Sequence, residues 1–136
     1  EKTQKTDQLD TLVKFGKDTY QKRNLLVKLV TNLKSQGKRI IGYGASGRAT
    51  VHINFCKFNS EIVEYVIDAS HERQGRFIPG MHIPIVSPDK LKNDNPDYAI
   101  LFAYNYFDEV MKKESSFIKK GGKFIVPLPE PKIIEP

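Results

Sequence analysis

The sequence predicts a three-layer α/β fold with a mostly parallel sheet, preceded by a long N-terminal helix. Two observations support this. Short apolar runs alternate with helical segments along the chain, which is typical of parallel strands joined by right-handed crossovers. A glycine-rich hexapeptide also follows the first apolar run and opens a helix. The length of 136 residues fits one domain.

The first predicted element is the long helix. Residues 1–8 are polar and predicted to be disordered or a linker, and apolar residues then recur at helical spacing from Leu9 to Ser35. Gly37 is a plausible end for this helix. We therefore expect one domain over residues 9–136, divided into a helix over 9–36, an α/β core over 38–127 and an extended tail over 128–136.

The core is predicted to alternate strands and helices. The expected strands are 38–43, 62–68, 98–103 and 123–127, and the expected helices are 48–58 and 107–118. Residues 69–88 are expected to be irregular, with short extended pieces, and a short helix follows through Leu91. The tail is rich in proline and therefore cannot be helical.

Composition limits the function classes. The net charge of +6 lies mostly in residues 1–37, where basic and acidic residues are mixed, so we interpret it as a solvated helix face rather than a nucleic-acid site. No apolar run is long enough to span a membrane. The one cysteine, Cys56, rules out a disulfide within the chain and a cysteine-based metal site, which suits a reducing, cytoplasmic setting.

The glycine loop Gly42-Tyr43-Gly44-Ala45-Ser46-Gly47 has the GxGxxG pattern. In Rossmann-like folds the first glycine permits a tight turn, the second lets the backbone approach a pyrophosphate, and the third allows close helix–sheet packing. The amides that open the next helix then face an anion. We expect Ser46 to add a hydroxyl donor and Arg48 to pair with phosphate oxygens.

An acid follows at the spacing expected of dinucleotide folds. Asp68 lies 21 residues after Gly47, at the end of the second predicted strand, where such folds use an acid to accept from a ribose hydroxyl. The loop and the acid together indicate a nucleotide-like ligand at the carboxyl ends of the strands. The alternative left open is a structural strand–turn–helix in a domain that has lost its ligand.

Other candidates lie in later loops. Arg76, Pro79 and Gly80 belong to a long polar loop that either contacts ligand or is a turn fixed by its glycines and proline. His82 is a candidate donor to a phosphate or a ketone, or a structural residue. Asn105 follows a buried strand and should project from the carboxyl edge of the sheet.

Four motifs resemble one known family, in order and with compatible spacing, between about residues 38 and 134. They are residues 41–48, residues 66–68 with 74–85, residues 96–98 with Asn105 and Glu109, and residues 121–131. They resemble the C-terminal domain of S-adenosylmethionine-dependent deoxysugar C-methyltransferases. The chain departs from the family where members often carry lysine in place of Arg48 and tryptophan in place of Tyr104.

The resemblance implies methyl transfer from S-adenosylmethionine to a carbon beside the ketone of a nucleotide-linked 4-keto-deoxysugar. It implies a partner methyltransferase domain in the same parent chain, which would hold the S-adenosylmethionine and the catalytic base. This chain is expected to contribute no catalytic residue, no metal site and no cofactor site, and to bind a dTDP-type sugar. The alternatives are an NAD(P)-binding domain of an oxidoreductase or regulator, or a structural interdomain module. The expected substrate-binding residues are Tyr43, Gly44, Ala45, Ser46, Gly47, Arg48, Asp68, Arg76, Pro79, Gly80, His82 and Asn105.

Overall fold

The computed structural model describes residues 21–127 and 131–134. Helix α1 occupies residues 21–35, while the predicted linker and the start of the predicted helix lie outside the described residues, as do 128–130 and 135–136 of the tail. Among the described helices, none has the length and apolar character needed to cross a membrane. The other elements, in chain order, are β1 (Ile40–Tyr43), α2 (Gly47–Cys56), β2 (Val66–Ile67), β3 (Phe77–Ile78), β4 (Ile83–Val86), α3 (Asp89–Asn93), β5 (Tyr98–Leu101), a 3₁₀ turn (Tyr104–Tyr106), α4 (Phe107–Lys113), α5 (Ser115–Lys119), β6 (Lys123–Val126) and β7 (Lys132–Ile134).

The strands form one mixed sheet of seven, in the order β3-β4-β2-β1-β5-β6-β7. The five central strands are parallel, while β3 and β7 are antiparallel to their neighbours at the two edges. The predicted α/β fold with a mostly parallel sheet is therefore confirmed. The chain leaves β1 toward β2 on one side and later returns to β5 on the other, which makes the β1–β5 gap the point where the strand order reverses.

Two apolar cores cover the two faces of the sheet. Helices α1 and α2 pack on one face, through residues such as Leu26, Val30 and Ile53. Helices α4 and α5 pack on the other, through Val110 and Phe117. All four residues of β1 are buried, because a central parallel strand is covered on both sides. We refer to these as the α2 face and the α4 face.

Two elements differ from their predicted form. Strand β2 is shorter than the predicted 62–68, because Asn59 organises a turn in which its backbone carbonyl accepts hydrogen bonds from the amides of Ile62 and Val63. The predicted helix 107–118 is broken at Glu114 into α4 and α5. Glu114 is buried there, and its carboxylate accepts a hydrogen bond of 2.8 Å from the Tyr43 hydroxyl.

The segment expected to be irregular contains a β-hairpin. Strands β3 and β4 pair antiparallel, and the turn between them has left-handed backbone at Gly80 and His82, with φ of 91° and 54°. The side-chain amide of Asn54, near the end of α2, donates to the carbonyls of Pro79 and Thr50, each at 2.8 Å. Because β4 runs parallel to β1, this turn lies at the amino edge of the sheet.

An ion-pair network also lies at the amino edge. The guanidinium of Arg39 contacts the carboxylates of Glu64 at 2.9 Å and Asp94 at 2.6 Å. The Tyr65 hydroxyl donates to Asp94 at 2.7 Å. The Arg39 hydrogen bonds hold the pKa of Asp94 well below its usual range. This network joins the starts of several strands, at the edge of the sheet opposite to the glycine loop.

Candidate functional site

The glycine loop lies at the carboxyl edge, directly above the β1–β5 gap. A Cβ on Gly42 would stand 2.7 Å from the Phe102 ring, and a Cβ on Gly44, where φ is +92°, would stand 2.8 Å from Cβ of Ala103. The loop after β1 therefore touches the segment after β5, and only glycine fits these two positions. A Cβ on Gly47 would meet nothing within 4 Å, so the expected packing role of the third glycine is not observed and the space beside it is open.

The start of α2 has unsatisfied polar groups. Ser46 is the N-cap residue in an extended conformation, with φ −74° and ψ 177°, but its side chain makes no capping hydrogen bond. Its Oγ is buried and lacks a hydrogen-bond partner among the described residues. The first backbone amides of a helix have no intrahelical acceptor and carry a partial positive charge. The geometry at this end of α2 therefore suits an anion.

Asp68 organises the loop from the next strand. Its Oδ2 accepts hydrogen bonds from the amide of Ala45 at 2.8 Å and from Arg73 at 3.1 Å, and its Oδ1 accepts from the amide of Ser70 at 2.8 Å. The Asp68 side chain is only 10% exposed. Both carboxylate oxygens are thus engaged within the chain, and the Ala45 amide is committed to Asp68 rather than free for a ligand.

Arg48 spans the gap between α2 and the segment after β5. Its Nη1 donates to Oδ1 of Asn105 at 2.9 Å, and its guanidinium lies over the Tyr104 ring at 5.1 Å from the centroid. One turn further along α2, His52 stacks on Phe102 with centroids 6.0 Å apart. Burial, and then the positive charge of Arg48, lower the pKa of His52, which favours the neutral imidazole. The exposed cation of Arg48 therefore stands at the rim of the loop.

The side chain of Tyr43 lies elsewhere. It belongs to the apolar core of the α4 face, where its hydroxyl donates to Glu114 and its ring meets the Phe124 ring edge-on. Burial, together with the Glu114 hydrogen bond, raises the pKa of Tyr43. Only the backbone of this residue is at the glycine loop, where its carbonyl accepts from the Phe102 amide at 3.0 Å.

The remaining predicted residues fall into two groups. Arg76 is exposed and precedes β3 toward the carboxyl edge, where its carbonyl accepts from the Ile85 amide at 2.8 Å. Pro79, Gly80 and His82 form the hairpin turn at the amino edge. Their contact on α2 is seven residues from Gly47, about 10 Å along the helix. The structure thus brings together Gly44 to Arg48, Asp68 and Asn105, and it places the hairpin turn away from them.

Two adjoining cavities on the α4 face were not anticipated from the sequence. One, of about 220 Å³, opens beside Gly44 and Asp68 and is lined by Tyr106 and Lys113. The second, of about 340 Å³, shares Ala69 and Lys113 with it. No pattern in the sequence indicates the first, because Tyr106 lies in the 3₁₀ turn before α4, where helical spacing does not relate its direction to that of Lys113. Within the described ranges, no group of His, Cys, Asp and Glu side chains is arranged to hold a metal ion.

Comparison with known proteins identifies the family. The family model described as the C-methyltransferase C-terminal domain matches residues 1–129. The C-methyltransferase NovU of Streptomyces niveus is 36% identical over 107 residues, which is 79% of this chain and 26% of that protein. The chain thus spans about a quarter of the length of the curated relative that it matches. With its glycine loop at the strand-order reversal and this match over most of its length, the chain belongs to the C-methyltransferase C-terminal domain family.

Proposed function

We propose that this chain binds a nucleotide-linked 4-keto-deoxysugar, of dTDP type, as the C-terminal domain of an S-adenosylmethionine-dependent C-methyltransferase of the cytoplasm. The diphosphate lies at the start of α2, and the sugar is presented to the methyltransferase domain of the same parent chain. Family membership supports the reaction class, since NovU is described as a C-methyltransferase. The residues of the glycine loop support the ligand class.

The start of α2 is the observation that carries the proposal. The buried Oγ of Ser46 has no partner within the described part of the chain, and the backbone at Gly47 faces open space. An anion seated there receives the first helix amides and the Ser46 hydroxyl as donors. Hydrogen bonds to an ionised acceptor are roughly twice as strong as neutral ones, so a diphosphate satisfies these groups better than water does.

Arg48 completes this anion site. It belongs to the first turn of α2, and its present partners are an amide oxygen and an aromatic face, both uncharged. A guanidinium pairs with phosphate oxygens through two parallel N–H donors, which is a stronger interaction than one bond to an amide. We therefore expect Arg48 to exchange Asn105 for a phosphate when the ligand binds.

The state of Asp68 argues against the NAD(P) alternative. A dinucleotide site uses the acid after the second strand to accept from ribose hydroxyls. Here that carboxylate is 10% exposed and already accepts from two backbone amides and Arg73. The same engagement argues against S-adenosylmethionine at this loop. In the proposal, that cofactor supplies an electrophilic methyl group when bound by the rest of the parent enzyme.

The ligand preference of the chain tests the proposal. The ¹⁵N-labelled chain is titrated with dTDP, a dTDP-sugar, NAD and S-adenosylmethionine while amide shifts are followed by NMR. We expect dTDP and the dTDP-sugar to shift the amides of residues 44–48. Shifts with NAD alone would contradict the proposal, and no response to any of the four would favour a purely structural interdomain module.

Arg48→Ala provides the matching variant. Loss of a charged hydrogen bond to phosphate is expected to weaken dTDP binding about tenfold or more. Lys28→Ala is the control, because Lys28 is an exposed cation of similar charge on α1, away from the glycine loop. Equal weakening by both variants would reduce the role of Arg48 to general electrostatic attraction.

A further inference from the structure

The 220 Å³ cavity on the α4 face has an exposed aromatic ring in its lining. Tyr106 lines it and is 54% exposed. Lys113 lines both this cavity and the adjoining one of about 340 Å³. Together the two cavities fall in the size range of small-molecule sites, about 300–1,000 Å³.

The 3₁₀ turn connects this cavity with the rim of the glycine loop. Tyr104, at its start, lies under the Arg48 guanidinium, and Tyr106, at its end, faces the cavity. Gly44 and Ala103 line the cavity as well, and they are the point where the loops after β1 and β5 touch. A ligand with its diphosphate at the start of α2 thus has two directions open to it, toward Asn105 or toward Tyr106.

The two directions lead the ligand to different surfaces of the domain. Arg48 and Asn105 are exposed side chains outside the cavity, whereas the cavity between Asp68 and α4 offers a ligand a concave surface. The sugar of the substrate must reach a methyl group that this domain does not hold. With the sugar on the Arg48 side, toward the rest of the parent enzyme, the cavity is left for the other end of the ligand.

We propose that the cavity between Asp68 and α4 holds the nucleoside half of the sugar nucleotide, with the base stacked on Tyr106. This inference rests on the proposed function. A base stacks on an exposed tyrosine ring through its π face, whatever its sequence identity. The Lys113 ammonium, with three donors and no acceptor, suits the exocyclic carbonyl oxygens of a pyrimidine base. Glu109, which also lines the cavity, accepts from a pentose hydroxyl.

Comparison of dTDP with inorganic pyrophosphate separates this inference from the proposed function. In NMR titrations of the labelled chain, pyrophosphate is expected to shift residues 46–48 alone. The nucleotide dTDP is expected to shift those residues and, in addition, Ala69, Tyr106 and Lys113. Additional dTDP shifts that appear at His52 and Asn105 instead would overturn the inference and leave the proposed function standing. If neither ligand shifts residues 46–48, both fail.

Variants at Tyr106 test the stacking contact. Tyr106→Ala should weaken dTDP binding about fivefold or more, because stacking on an aromatic side chain accounts for at least that factor. Pyrophosphate binding should be unchanged, and Tyr106→Phe, which keeps the ring, should restore dTDP affinity. Phe77→Ala is the control, since Phe77 is a comparably exposed ring, 57%, on the edge strand β3. Unchanged dTDP affinity in Tyr106→Ala would overturn the inference.

Discussion

Replacing Asp68 by Asn tests whether this acid organises the glycine loop or serves the ligand. The two side chains have the same shape, but the amide has one acceptor oxygen where the carboxylate has two. In the native chain each carboxylate oxygen accepts from a backbone amide, that of Ala45 on one side and that of Ser70 on the other. In Asp68→Asn, one of these amides must face an NH₂ group instead of an acceptor.

The expected loss in free energy of unfolding follows from these contacts. A hydrogen bond to a charged group contributes about 1.5–3 kcal/mol, and one backbone bond of this kind is lost. The ion pair with Arg73, whose side chain is 50% exposed, adds less than about 1 kcal/mol because solvent screens it. We therefore expect the free energy of unfolding to fall by about 2–3 kcal/mol.

Urea denaturation followed by far-UV circular dichroism measures this difference, which suits a chain that has no tryptophan. Asp89→Asn is the control, because Asp89 is 80% exposed and stands 3.8 Å from the Lys92 ammonium; its cost should stay below about 1 kcal/mol. If Asp68→Asn keeps its stability and loses dTDP affinity, the carboxylate serves the ligand and the reasoning is refuted.

Three further substitutions or measurements test the packing at Gly44, the burial of Cys56 in α2 and the ion pairs at the amino edge. Gly44→Ala should cost about 2–4 kcal/mol in urea denaturation, since its Cβ meets that of Ala103 at positive φ, while Gly121→Ala, with positive φ but open space, should cost about 1 kcal/mol. Burial raises the pKa of the Cys56 thiol from 9.0 to about 11, so iodoacetamide at pH 8 should alkylate the native chain about 100-fold more slowly than the chain in urea. The arginine hydrogen bonds that depress the pKa of Asp94 from 3.8 contribute stability that is complete at neutral pH. The difference in free energy of unfolding between the native chain and Asp94→Asn should therefore shrink as pH falls below about 4. A difference that does not change with pH would contradict this.

The glycine loop shows which features of the site could be predicted from the sequence. Alternating apolar runs and the GxGxxG spacing were enough to predict the parallel sheet and to place Gly44 and Asp68 at its carboxyl edge. The partners of Asp68 could not be predicted, because the spacing of an acid after a glycine loop is the same whether it accepts from a ribose or from a backbone amide. The engaged carboxylate is visible only in three dimensions.

The edge of the sheet at which a loop lies was a second feature that could not be predicted from the sequence. Pro79 and Gly80 are predicted at the site because their polar loop follows Asp68 and such loops often contact ligand above a parallel sheet, and His82 because its imidazole can donate to a phosphate or a ketone. The intervening strand β3 runs antiparallel to β4 and takes the chain to the amino edge instead. A two-residue strand is too short for its direction to be determined from the pattern of apolar residues.

The burial of each tyrosine was a third feature that could not be predicted from the sequence. Tyr43 and Tyr106 are both tyrosines near the carboxyl edge, yet one is 7% exposed and the other 54%. Tyr43 is the last residue of a central strand, so alternation directs its side chain into the α4 face. Tyr106 precedes α4 in a 3₁₀ turn, where no period constrains the direction of a side chain, and its exposure depends on how that turn packs.

The two departures from the family pattern are neighbours in space. The resemblance implies lysine and tryptophan in many members where this chain has Arg48 and Tyr104, and the two side chains here form a cation–π contact with 5.1 Å between guanidinium and ring centroid. A cation over an aromatic face is possible with either combination, because tryptophan is the best π partner and arginine the more frequent cation. Arginine adds what lysine lacks, a planar fork that reaches Asn105 while it stacks. The hydrogen bond to Asn105 therefore adds to the contact with the smaller Tyr104 ring, and the two together fix the position of the Arg48 guanidinium near the start of α2.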